Sequence, residues 1–210
     1  MTPTLKVFGK ASSINVRKVL WVCHEIGMPY TQEDWGVGFS STTTPAFLSM
    51  NPNGLVPVIE DENGFLWESN TICRYLAAKH DRTDLLPASL RSRALVETWM
   101  DWQATDLNSA WRYAFLALVR RDPACRDEAQ IVVSLRNWND KIGVLERQLA
   151  STGAFATGKA FTIADVVLGL SVNRWMMTPM TRPNYPAVAA YYERLSERPG
   201  FLDHGRNGIP

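Results

Sequence analysis

The chain has 210 residues, enough for one large domain or two small ones, and 46% of them are hydrophobic and 20% charged. That balance fits a packed soluble protein and excludes a disordered one. A formal net charge of +1 gives no electrostatic reason for a nucleic-acid or membrane-surface partner, and no apolar run approaches the roughly 18 residues that a membrane span needs.

The opening stretch, Met1 to Gly9, is too short and polar for a signal peptide and reads directly as a first strand, with Leu5-Lys-Val-Phe8 alternating. From Val16 to Ile26, apolar residues at 16, 19, 20, 22, 23 and 26 form a helical stripe, ended by Gly27 with Pro29 just beyond. Tyr30 to Trp35 reads as a second strand. Residues 36–44 are Gly/Ser/Thr-rich and read as a mobile loop, and Pro45 to Met50 as a short helix. A strand over 57–60 follows, then the Asn-Gly hairpin turn Asp61-Glu-Asn-Gly64, a strand over 65–67 and a helix over 69–80. This order predicts a small mixed sheet of four strands, with one parallel crossover and one antiparallel hairpin.

After Asp84-Leu-Leu-Pro87 the strands stop. Helical periodicity over 90–121, 125–151, 163–178 and 184–196 predicts an α-bundle, broken at Asp122-Pro123, Thr152-Gly153, Pro179 and Pro183. The expected organisation is an α/β domain over 1–82, a linker over 83–89 and an all-α domain over 90–210. Thr162-Ile-Ala-Asp165 carries a capping box with Asp in place of Glu, a stability device rather than a catalytic one.

Three cysteines, Cys23, Cys73 and Cys125, stand far apart in mostly apolar helical contexts. They read as reduced thiols and place the chain in the cytoplasm. The isolated His24, His80 and His204 have no metal-ligand spacing, so no metal is expected.

The stretch Asn51-Pro-Asn-Gly-Leu-Val-Pro57 leads into Trp67-Glu-Ser-Asn70. Pro57 has no N–H to give a sheet and belongs at a strand's first residue or edge. A cis bond there would turn the backbone of Val56 outward. Glu68-Ser69 opens a helix, whose free N–H groups and dipole favour a carboxylate. An outward backbone beside an anion-binding helix start can hold a peptide-like ligand. The turn Gly9-Lys-Ala-Ser-Ser-Ile-Asn15 lies beyond the carboxyl end of the first strand, where ligands of open α/β sheets bind. A hydroxyl of Ser12 or Ser13 there could donate to a thiolate and lower its thiol's pKa; Ser13 or Asn15 could equally cap the helix that follows.

Over nearly its whole length the chain resembles the cytosolic glutathione transferases. The motifs that carry the resemblance are Ser12-Ser-Ile-Asn-Val-Arg-Lys18, Asn51 to Pro57, Trp67 to Asn70, the Thr162–Asp165 cap and Arg182-Pro-Asn-Tyr-Pro186. The first turn is most similar to bacterial theta-like, beta-like and nu-like members, and close to a bacterial group in which some members dehalogenate haloacids. The resemblance implies a thioredoxin-like N-terminal domain, an all-α C-terminal domain contributing the electrophile pocket, a homodimer, and glutathione as co-substrate. It implies that Val56, before Pro57, pairs its backbone with the cysteinyl part of glutathione, with Asn53 and Leu55 bordering that region. Glu68 and Ser69 would hold the γ-glutamyl ammonium and carboxylate. The loop at 36–44 would approach the glycyl end, and it lacks the basic residue that family members often place there. The theta pattern puts the catalytic serine at Ser13, the zeta pattern at Ser12, and the nu pattern's Thr-Pro-Asn triplet falls on Ser13-Ile14-Asn15, so Ser13 is the first candidate, Asn15 its helper and Ser12 the rival. Trp111, Arg112 and Phe115 are candidates for the electrophile's wall, with Arg112 suited to an anionic electrophile such as a haloacid. Trp and aromatic residues at helical spacing also fit a core. Two rival readings stand beside conjugation: a glutathione-dependent peroxidase, disulfide reductase, isomerase or dehalogenase, and a non-catalytic scaffold on the same fold.

Overall fold

A computed structural model describes residues 5–210, and the chain divides into two compact units between Leu86 and Pro87. The reading of the opening residues as leaderless falls in part on residues 1–4, which lie outside the described residues.

In the first unit, β1 (Leu5–Phe8) pairs in parallel with β2 (Tyr30–Glu33) and antiparallel with β3 (Val58–Asp61), and β3 pairs antiparallel with β4 (Gly64–Trp67). The order across the sheet is β2-β1-β3-β4, the expected mixed four-stranded, thioredoxin-like arrangement. Its register sets up everything that follows. Phe8 stands opposite Glu33 on one side and Val58 on the other, and Val58 opposite Trp67. Four connections therefore meet at one end of the sheet: those after Glu33, after Phe8, before Val58 and after Trp67.

The helices α1 (Ile14–Ile26) and α3 (Ser69–Lys79) pack against each other, and α2 (Pro45–Met50) sits between β2 and β3 in the chain. Gly27 ends α1 in the left-handed conformation, φ 67°, as its position predicted. Phe8, Phe47 and Val58 form a buried cluster against which Trp35, Met50 and Val56 pack. β2 stops two residues earlier than expected: only an isolated bridge from Trp35 to Ser40 continues it.

The second unit is helical throughout: α4 (Leu90–Trp102), α5 (Asn108–Leu118), α6 (Glu128–Thr152), α7 (Ile163–Met177), α8 (Pro186–Leu195) and α9 (Pro199–His204). At its centre, α7 is buried from Ile163 to Trp175 on every side, its polar Asp165, Ser171, Asn173 and Arg174 included. The Thr162–Asp165 capping box is present. The Asp165 carboxylate accepts from the N–H of Thr162 (2.9 Å), the N–H of Ala156 (2.9 Å) and the hydroxyl of Tyr191 (3.1 Å).

Three features depart from the periodicity. The single helix expected over 90–121 is interrupted by a π-helical turn, Gln103–Leu107, in which the N–H of Asn108 reaches back five residues to the Gln103 carbonyl. The buried positions Val96, Met100, Gln103, Leu107, Ala110 and Ala114 keep spacings of three and four throughout, so an apolar stripe alone does not reveal the wider turn. Helix α6 starts at Glu128 because Asp127 caps the N–H groups of Ala129 (2.9 Å) and Gln130 (3.2 Å). Helix α9 is short and opens on Pro199, and the apolar pattern is too brief there to announce it.

Candidate functional site

The four connections at one sheet end carry the predicted residues. Beyond β1, Gly9 gives its N–H to the Glu33 carbonyl (2.8 Å), and the Gln32 side-chain amide donates to the Gly9 carbonyl (2.8 Å). Gly9 adopts φ 140°, and a Cβ there would lie 2.6 Å from Cγ2 of Val16 and 2.9 Å from Cβ of Val56. Only a residue without a side chain lets β1, the start of α1 and the 51–57 loop come this close.

Ser13 occupies the position just before α1, with φ −80° and ψ 124°, yet its side chain makes no capping hydrogen bond. Its backbone does the local work: its N–H goes to the Lys10 carbonyl and its carbonyl accepts from the Arg17 N–H, each at 3.0 Å. The hydroxyl is thus left at a helix N-terminus, where developing negative charge is favoured. Ser12, Ser13 and Asn15 are all half-buried. Of the two roles open to Ser13, the structure shows no cap.

The 51–57 loop is held from inside by Asn51, which sequence reasoning passed over. Its buried side chain donates to the Leu55 carbonyl (2.7 Å) and accepts from the N–H (3.0 Å) and side-chain amide (3.2 Å) of Asn53. The only sequence hint was its place before Pro52, an Asx-turn position. Asn53 and Leu55 are exposed, Val56 is half-buried, and the Val56–Pro57 bond is cis.

Beyond β4, Glu68 is exposed and precedes α3 with φ 73° and ψ 105°. A non-glycine residue in this region costs on the order of 1–3 kcal/mol and persists where surrounding structure imposes it. Ser69 is the first residue of α3 and is buried. The site therefore presents a carboxylate and a helix N-terminus side by side.

In the helical unit, Trp111 and Phe115 meet edge to face at 5.4 Å, and Trp111 lies 6.2 Å from Trp138. The guanidinium of Arg174, on α7, covers both rings, 4.5 Å from Trp111 and 4.0 Å from Phe115. Asn108 accepts from the Trp111 indole and from the Gln103 amide, each at 3.0 Å. Trp111 and Phe115 thus share a packed aromatic cluster with a buried cation, while Arg112 is exposed. The helical spacing of Trp111 and Phe115 gave no signal that Arg174, about sixty positions away in apolar surroundings, would be their cation.

Burial pushes the thiols of Cys23 and Cys73 up to about 12, so neither is a nucleophile. Among the described residues no group of three or more His, Cys, Asp or Glu side chains could hold a metal ion, and no helix is long and apolar enough to cross a membrane.

A mixed four-stranded sheet packed with helices, followed by a helical unit, defines a thioredoxin-like domain joined to an α-domain. Family models described as Glutathione S-transferase, N-terminal domain, and Glutathione S-transferase, C-terminal domain, match residues 3–78 and 111–203. The Glutathione S-transferase GstB of Escherichia coli (strain K12) is 36% identical over 197 residues, 93% of this chain and 94% of that protein. The theta class glutathione S-transferase of Xanthomonas axonopodis pv. citri, solved with glutathione bound, superposes with a TM-score of 0.88 at 36% identity, covering 97% of each chain. Elongation factor 1-gamma 3 of Oryza sativa subsp. japonica is 31% identical over 167 residues, which make up 77% of this chain and 39% of that protein. The chain belongs to the glutathione S-transferase family.

Proposed function

We propose that the protein is a glutathione transferase of the Ser/Asn type, which binds glutathione on residues 1–82 and conjugates it to a small electrophile. The reading divides the chain into that domain, a linker over 83–89 and a helical domain over 90–210 whose residues meet the electrophile. The observation that carries it is the convergence, at one sheet end, of the Ser12–Asn15 turn, the Val56 backbone and the Glu68–Ser69 helix start. Glu68 complements the γ-glutamyl ammonium, Ser69 and the α3 N-terminus its carboxylate, and the Val56 backbone the cysteinyl unit, bordered by Asn53 and Leu55.

In this reading the bound thiol gives up its proton to solvent, and the Ser13 hydroxyl donates to the thiolate at the start of α1. The thiolate is the nucleophile; it forms the C–S bond as the electrophile's leaving group departs with its electron pair. The protein's contribution is binding, orientation and stabilisation of the thiolate. Asn15 assists and Ser12 is the rival donor. Trp111, Arg112 and Phe115 are the proposed electrophile contacts. A cytoplasmic homodimer working in detoxification completes the reading.

Product analysis on a panel of a haloaromatic, a haloacid, a hydroperoxide and a mixed disulfide tests it. A thioether from either halide supports conjugation or dehalogenation, and turnover confined to the hydroperoxide or the disulfide replaces the transferase by a peroxidase or a reductase on the same site. A second reading, a non-catalytic scaffold, is favoured by the likeness to elongation factor 1-gamma 3, in which the shared region is 39% of the protein. Failure of the folded protein to be retained on immobilised glutathione decides for it.

A further inference from the structure

Glutathione has chemically unlike ends: the γ-glutamyl end is a zwitterion, the glycyl end a lone carboxylate. Glu68 beside the N-terminus of α3 matches a zwitterion, carboxylate to ammonium and helix start to carboxylate. The other end needs a cation alone. The sheet register says where to look. The four connections lie in the order 34–40, 9–13, 51–57, 68–69, because the strands lie in the order β2-β1-β3-β4. Strands stand about 4.8 Å apart, so the turn after β1 lies about 10 Å from the start of α3. An extended three-residue peptide spans about 10–11 Å. A glutathione whose γ-glutamyl end sits at Glu68–Ser69 and whose cysteinyl unit sits at Val56 has its glycyl carboxylate at the β1–β2 side.

The cation on that side is Lys10. Its N–H is fixed to the Trp35 carbonyl (3.2 Å) and its carbonyl accepts from Ser13 (3.0 Å), so its backbone belongs to the catalytic turn. Its side chain crosses to the neighbouring loop, where Nζ donates to the Val37 carbonyl at 2.8 Å. An ammonium has three donors, so this bond holds the head in place and leaves two for a ligand. Among the described residues of β1, β2 and the 34–44 loop the other cation is Lys6, and it is bound to Glu33 at 2.7 Å. The geometry points to Lys10 as the residue that receives the glycyl carboxylate, the charge missing from the 36–44 loop being supplied from the β1–α1 turn. This assignment rests on the glutathione reading given above.

Calorimetric titration of the full-length protein with glutathione, and with glutathione amidated at its glycyl carboxylate, reads the contact directly. The wild-type protein is expected to bind the amide about tenfold more weakly than glutathione. Lys10→Met is expected to bind glutathione about tenfold more weakly and the amide as the wild type does, and Lys10→Arg to recover most of the glutathione affinity. Equal glutathione affinity in wild type and Lys10→Met overturns the assignment. So does an equal loss for both peptides, which would leave Lys10 only its grip on Val37. A wild-type protein that binds neither peptide overturns the glutathione reading itself, and the assignment falls with it.

Discussion

Lys18 on α1 donates from Nζ to Oδ1 of Asn70 on α3 at 3.1 Å, with the two residues only 1% and 8% exposed. This buried bond joins α1, five residues after its cap Ser13, to α3, one residue after its start at Ser69, so the two helix starts that carry the proposed ligand contacts are tied together. A charge-bearing hydrogen bond of this kind contributes roughly 1.5–3 kcal/mol. Lys18→Met is expected to lower the unfolding free energy by about 2 kcal/mol in urea titration and to raise KM for glutathione as α3 shifts. An unchanged unfolding midpoint would show that packing alone holds the two helices.

Ser13→Ala should lower kcat by about tenfold to a hundredfold, the range for one donor to a developing anion, while glutathione affinity changes little. The thiolate absorbance of the bound complex should move its midpoint to higher pH, because the hydroxyl favours the charged form. Full turnover with an unmoved midpoint transfers the role to Asn15 or Ser12, and the same two measurements on their alanine variants choose between them.

Glu68 combines a positive φ with a proposed binding role, so stability and function should respond in opposite directions. Glu68→Gly relieves backbone strain and is expected to raise stability by about 1 kcal/mol, offset in part by the greater freedom of glycine in the unfolded chain. It removes the partner of the γ-glutamyl ammonium and should weaken glutathione binding about tenfold. Thermal melting and calorimetric titration on the same preparation check both. A variant that gains stability and keeps its affinity would remove Glu68 from the site.

Burial raises the Asp165 carboxyl from its ordinary 3.8 to about 6, against hydrogen bonds that favour its charged form. A group held more tightly by its proton in the folded state contributes stability that is fully present below its unfolded pKa and lost as pH rises through the folded one. Stability should therefore fall between about pH 4 and pH 6 by this route and level off above it. Asp165→Asn replaces one acceptor oxygen by a donor facing N–H and hydroxyl donors, and is expected to cost about 2 kcal/mol at pH 7. Melting curves from pH 4 to 8 should show this pH-dependent component gone; its persistence would assign it to another group.

The sheet order, the two-unit division of secondary structure and the capping box were legible because each rests on local signals: alternation, the Asn-Gly turn, proline positions and the Thr162–Asp165 spacing. The place of Pro57 at the entry to β3 and the start of α3 at Ser69 were legible for the same reason, whereas the positive φ of Glu68 was not. What was not legible depends on partners distant in sequence. Asn51 acts through bonds to Leu55 and Asn53 that need the folded loop. Lys10 acquires its direction only from the carbonyl of Val37, and Arg174 its surroundings from rings on another helix.

The π turn at Gln103–Leu107 fixes the rotational phase of the chain after it. An α-helix advances about 100° per residue, and a π turn accommodates one surplus residue without ending the helix. Winding the same residues as an ordinary α-helix would swing Trp111 and Phe115 by about 100° around the axis, away from Arg174 and Trp138, whereas deleting the surplus residue along with the π turn would leave them where they are. The aromatic face of α5 is thus aimed by a turn it does not contain, and a relative one residue shorter upstream can present the same face from an uninterrupted helix, with every aromatic residue of α5 left unchanged.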